Sequence, residues 1–141
     1  MSPESRRSAG VLLVILPTVI FGGVSILTLL ISPQSGYANN PLRQDLWRAG
    51  HAQAGVFLVL SLIALRYVDE AVLSNGVKHF VRWAIPAAAI LLPLAFFLSV
   101  LSPTATEPNG MLYLAYVGAV VLAAGLITLG IGLIRRPRTE P

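Results

Sequence analysis

The chain has 141 residues, of which 55% are apolar and 11% charged, with a net charge of +4 and no cysteine. So apolar a composition excludes an ordinary soluble domain with a polar exterior, and the length leaves no room for a second domain. Disulfides, thiolate metal sites and cysteine nucleophiles are excluded outright, and the basic residues sit at the ends of apolar runs, where they set membrane orientation instead of reading nucleic acid.

Four runs of 17 to 24 residues contain no ionisable side chain other than histidine: Ala9 to Ser32, Ala49 to Leu65, Trp83 to Ser102 and Met111 to Ile134. At 1.5 Å per residue each run spans, or nearly spans, a hydrocarbon layer of ~30 Å. A soluble bundle would show charged residues opposite an apolar stripe, whereas these runs are apolar all round. The expected fold is an all-α, four-helix transmembrane bundle. Residues 1–141 make a single four-span domain, with spans at about 9–32, 48–68, 80–102 and 110–134. With a cytoplasmic N-terminus, the inner segments hold Arg6, Arg7, Arg66, Lys78, Arg82, Arg135, Arg136 and Arg138, against Arg43 and Arg48 outside. That bias places both termini in the cytoplasm. Nine arginines against one lysine fit a GC-rich genome and a bacterial plasma membrane.

The first span follows Glu4 to Ser8 and stops at Ser32-Pro33, with Pro17 bending it and Gly22, Gly23 and Ser25 leaving one side smooth. It is too long for a cleaved signal and is read as a retained span. In the outer loop, Asn40-Pro41 has the pattern of an N-cap followed by proline at the first helical position. The second helix therefore starts before the membrane, with Trp47 in the headgroup belt. It ends near Arg66 and Tyr67, and Asn75-Gly76 closes the inner turn. Asp69 and Glu70 are expected to meet Lys78 and Arg82 as exposed pairs across that hairpin, each contributing ~0.2 to 1 kcal/mol.

The third span carries Pro86 and Pro93 on nearly the same face, which is expected to look into the bundle where the released carbonyls can find partners. In the fourth span, Gly118, Gly125 and Gly132 recur every seven residues and form a smooth stripe for helix packing, within one chain or between two. Tyr113 and Tyr116 mark its outer end.

On the second helix, Gln44, Arg48, His51 and Gly55 share one face, a polar ladder that descends from the surface into the outer leaflet. A candidate outward site would combine Arg48, His51 and Gln53 with Glu107 and Asn109 of the other outer loop. Such a site could bind a lipid headgroup, a quinone carbonyl or haem iron. The alternative is that these residues only cap and anchor a helix entering the membrane. His79 belongs on the inner side, ~30 Å away, and cannot share an iron with His51. Met111 is the one remaining haem ligand, and a methionine at a helix start is ordinarily an apolar residue, so no cofactor and no metal are assigned. No ionisable group lies near the midplane of any span, which weighs against an ion-coupled carrier and leaves a small oligomeric transporter or pore as a third reading. Thr18, Ser25, Thr28, Ser61, Ser99 and Thr128 are expected to bond back to their own helices or pack between them. No phosphate loop, serine elbow or paired-histidine motif is present, so no catalytic residue is assigned.

The stretch Asn40 to Gly55, with its core Arg48-Ala49-Gly50-His51-Ala52-Gln53-Ala54-Gly55, resembles a segment of small uncharacterised four-span membrane proteins of high-GC bacteria, in which the core often reads Arg-Ala-Gly-His-Ala-His-Ala-Gly. The likeness extends over most of the chain. Gln53 stands where those proteins carry a second histidine, which argues against a metal or haem role, and the resemblance brings no activity with it. The function expected is that of a non-catalytic packing or accessory subunit in the lipid bilayer, associated with itself or a larger membrane complex and not with nucleic acid.

Overall fold

The computed structural model describes residues 1–135, and among them it is entirely helical, without a strand. Four long helices, α1 (Pro3–Ile31), α2 (Pro41–Tyr67), α3 (Asn75–Ser99) and α4 (Tyr113–Ile134), are joined by short connections holding single 3-10 turns at Pro33–Ser35, Tyr37–Asn39 and Gly110–Leu112. All four are long and apolar enough to cross a membrane, as a multi-pass protein requires. Arg136 and Arg138, counted above among the inner basic residues, lie outside the described residues.

Helix starts follow local chemistry. Ser2 caps α1 by accepting from the Ser5 amide, so the helix begins at Pro3 and includes Arg6 and Arg7, earlier than the apolar run implied. Asn40 caps α2 through the Arg43 amide, with Pro41 at the first helical position as the sequence pattern predicts. The inner turn closes one residue earlier than expected, with Ser74 preceding α3 and Asn75 already helical. Prolines 17, 86 and 93 lie within continuous helices.

Helices pack on their neighbours in chain order, α1 on α2, α2 on α3 and α3 on α4, with only a brief α2–α4 contact. The third helix is central: 44% of its most apolar window is buried, against 6% for α1. One apolar cluster gathers Ala64, Val68, Ala71, Val81, Ile85 and Leu129 from α2, the hairpin, α3 and α4, and a second joins Leu12 of α1 to Leu58, Leu65 and Ala89. Buried Pro93 faces α2, where its carbonyl lies beside Gly50.

The glycine stripe of α4 faces inward within this one chain. A Cβ at Gly118 would meet Leu92 at 2.9 Å, one at Gly125 would meet Ile85 at 2.9 Å, and one at Gly132 would run into Leu73. The absent side chains are what let α4 approach α3 and the hairpin. Gly130 has nothing within 4 Å. Gly125→Leu should therefore cost roughly 1–3 kcal/mol by overpacking and lower the thermal midpoint in mild detergent. Gly130→Leu should leave the midpoint near that of the parent chain.

Candidate functional site

At the end of the molecule that carries the 33–40 and 100–112 connections, α3 stops with its last carbonyls unpaired by its own helix. Other parts of the chain supply the missing donors. Trp47 Nε1 donates to the Phe97 carbonyl at 3.2 Å, Asn109 Nδ2 to Leu98 at 3.0 Å, the Asn109 amide to Ser99 at 2.8 Å, and Arg43 Nε to Val100 at 3.1 Å. Arg43 is only 4% exposed, and its guanidinium lies over the Trp47 ring at 4.4 Å and near the Tyr37 ring at 5.8 Å. A cation at the negative end of the α3 dipole, resting on aromatic faces, is favourable on both counts. Trp47 thus reaches into the protein instead of serving only as a belt residue, and stacks edge-on against Phe97. Tyr37 is 1% exposed, and its hydroxyl has no hydrogen-bond partner. Burial pushes its pKa up, opposed by the nearby Arg48 and Arg43 cations.

The five residues of the expected outward site are engaged separately. Arg48 is exposed and folds back on its own helix, donating to the Gln44 carbonyl and side chain, with Asp45 at 3.6 Å. Half-buried His51 faces α1, its Nε2 2.9 Å from where a Cβ on Gly23 would stand. The side-chain amide oxygen Oε1 of Gln53 is buried without a hydrogen-bond partner. Glu107 is exposed in the 100–112 connection, where Asn109 fastens that loop to α3 and caps the Met111 amide. Met111 stands exposed in the 3-10 turn that precedes α4, whereas His51 is turned to α1. Among the described residues no hydrogen bond or ion pair joins any two of the five, and no group of three or more histidine and acidic residues is placed to hold a metal.

Beside His51 an open groove of about 650 Å³ runs along α2, lined by Val19, Ala52, Gly55, Val59 and Ile63 among others. His51 is its one polar side chain.

At the opposite end, Asp69 draws the N-terminal residues onto the hairpin. Its carboxylate accepts from the Ser2 amide at 2.6 Å, from Arg82 at 2.6 Å and from the Ser5 hydroxyl at 3.2 Å, while Arg82 also holds Glu4 at 2.9 Å and the Ser5 hydroxyl at 2.9 Å. The expected exposed pairing is corrected here. The Arg82 and Asp69 side chains are only 10% and 18% exposed, Glu70 pairs with Arg66, and Lys78 donates to the Asp69 backbone carbonyl. Partial burial alone would raise the Asp69 pKa. The Ser2 amide, Arg82 and Ser5 outweigh that effect and bring it down to about 2.

Sequence reasoning missed Arg43, Tyr37 and Ser2. For Arg43 a signal existed: with Asn40-Pro41 starting the helix, Arg43 and Trp47 fall at i and i+4 on its first turns. Of the six hydroxyls expected to bond back or pack between helices, Thr18, Ser25, Thr28, Ser61 and Ser99 each donate to a carbonyl three or four residues back, a bond not seen for Thr128.

Comparison with protein families, with curated proteins and with solved structures finds no match. The class defined by the fold is therefore the statement that stands: a four-helix chain whose helices fit a multi-pass membrane protein.

Arg43→Met should lower stability by roughly 1–3 kcal/mol through the uncapped carbonyl and the lost cation–π contact, while Arg48→Met should change it by less than about 0.5 kcal/mol. Thermal melts of the two variants in one detergent make the comparison. The depressed Asp69 pKa adds stability that is complete above about pH 4 and is lost as pH falls through about 2. After allowance for solvent screening this amounts to on the order of 1 kcal/mol. Asp69→Asn should flatten that acid limb of the melting profile and lower the midpoint at pH 7.

Proposed function

We propose that this chain is a small multi-pass protein of a bacterial plasma membrane, with both termini cytoplasmic, acting as a non-catalytic packing or accessory subunit. The observation that carries this reading is the contrast between α1 and the rest. The polar groups that converge in the structure are consumed in holding helix ends together, whereas α1 packs on α2 along one side only and leaves a long apolar flank exposed, Val14 and Phe21 being 78% and 73% exposed. A helix so lightly held by its own chain offers a long face to lipid or to a neighbouring protein. The orientation is supported by Arg6, Arg7, Arg66, Lys78, Arg82 and Arg135 at the terminal end against Arg43 and Arg48 at the other. Arg43, moreover, is turned inward.

Because the chain has no cysteine, single-cysteine variants report orientation cleanly. In intact cells a membrane-impermeant maleimide should label Gln34→Cys, and should label Gly76→Cys only after permeabilisation; the reverse pattern overturns the orientation. A photo-crosslinking residue placed at Val14 or Phe21 in native membranes should give discrete protein adducts. Recovery of monomer carrying lipid alone would remove the packing role.

A further inference from the structure

We infer that α1 is a strap, pivoting at Gly36 and latched at its N-terminal end, which swings away from α2 while the other three helices stay together. The latch is weak by its chemistry. Asp69 of the hairpin and Arg82 of α3 bond to each other at 2.6 Å, and neither belongs to α1. What α1 adds is a set of neutral groups, the Ser2 amide and hydroxyl and the Ser5 hydroxyl, together with Glu4, whose side chain is 72% exposed. Withdrawing α1 breaks neutral hydrogen bonds and one solvent-screened ion pair, each a modest loss. It leaves Asp69 and Arg82 paired, so no largely buried charge is stranded, which is the outcome that would hold the latch shut.

The other end has the features of a pivot. Gly36 stands between two 3-10 turns with φ at +65°, the one positive φ among the described residues, and nothing lies within 4 Å of where its Cβ would be. Its backbone is free to change angle, and there is room for it to do so. Between pivot and latch α1 packs on α2 through apolar side chains such as Leu12, Leu16 and Val19, while Thr18, Ser25 and Thr28 bond only to carbonyls of α1 itself. Parting such a seam in lipid costs little, because lipid replaces the lost contacts. The remaining helices do not need α1: the cluster of Ala64, Val68, Val81, Ile85 and Leu129 contains none of its residues, and the glycine stripe seats α4 on α3. From Gly36 to Val11 is roughly 37 Å of helix, so a ~10° change of tilt, ordinary for a membrane helix, carries Val11 by ~6 Å and Val24 by ~3 Å. The device requires neither the cytoplasmic orientation nor the packing role.

Because the chain has no cysteine, spin-label pairs on the full chain can be placed at exposed positions by substitution. Val11→Cys with Ile63→Cys reports near the latch, Val24→Cys with Ala52→Cys nearer the pivot, and Ile63→Cys with Phe80→Cys is the control across α2 and α3. Distances are read by pulsed electron paramagnetic resonance in phosphatidylcholine vesicles, with and without the latch substitutions Glu4→Gln and Ser5→Ala, which remove most of the share of α1 and leave Asp69 and Arg82 untouched. The latch substitutions should add a component ~6 Å longer to the Val11–Ile63 distribution, move the Val24–Ala52 distance about half as far, and leave the control fixed. Circular dichroism establishes helix content, and Ser5→Ala alone, which breaks latch bonds without removing a charge, carries the test if the double variant does not fold. An unchanged Val11–Ile63 distance overturns the latch. Equal displacement of both α1 pairs overturns the pivot, and a shifted control in a folded variant shows the whole bundle loosening and overturns the strap.

Discussion

The structure depends on one constraint: the carbonyls left over at helix ends need donors, and here other parts of the chain supply them. Each of the four helices is finished this way. Ser35 donates to Leu29 at the end of α1, Lys78 reaches the Asp69 carbonyl just beyond α2, and the Val72 amide donates to Gly132 in the last turn of α4. The end of α3 takes the largest share, with Trp47, Asn109 and Arg43 between them meeting four consecutive carbonyls. Asn109, which the sequence offers as part of an outward site, is thereby accounted for as a structural donor. Asn40 is typical: it caps α2 and also donates to Pro103 and Ala105, tying the two connections at that end together.

The same constraint explains why Arg43 can be buried without a carboxylate. Its charge is met by the partial negative charge of a helix terminus and by two aromatic faces, none of which is an ion. This arrangement fixes the guanidinium, so it orders the connections around α3. Asp69 solves the equivalent problem at the other end with donors: an amide, a hydroxyl and a guanidinium converge on one carboxylate and overcome the cost of its partial burial.

The spans were legible because an uncharged run of sufficient length has one physical meaning, and the start of α2 because Asn-Pro combines a cap with a fixed backbone angle. The glycine stripe of α4 was legible as a smooth surface, but not its target, since Leu92, Ile85 and Leu73 are reached only once α3 has folded back. Arg43 was hidden by the counting that revealed the topology: summing basic residues by loop treats each as solvated, and says nothing of a guanidinium folded under its own helix start. The Asp69 cluster joins residues 67 and 80 positions apart, a pairing no local pattern encodes.

The weak burial of α1 then follows from how helices associate in lipid. Moving an apolar face from lipid onto protein gains little, so a helix without close small-residue contacts is held mainly where polar bonds can form. In α1 these lie at its two ends, Ser2, Glu4 and Ser5 binding Asp69 and Arg82 at one, and Ser35 closing the turn toward Tyr37 at the other. Between them the closest approach is the seat of His51 on Gly22 and Gly23. A helix pinned at both ends and notched in the middle leaves its flank along α2 unfilled from Val19 to Ile63, and the open groove is the result of that manner of attachment.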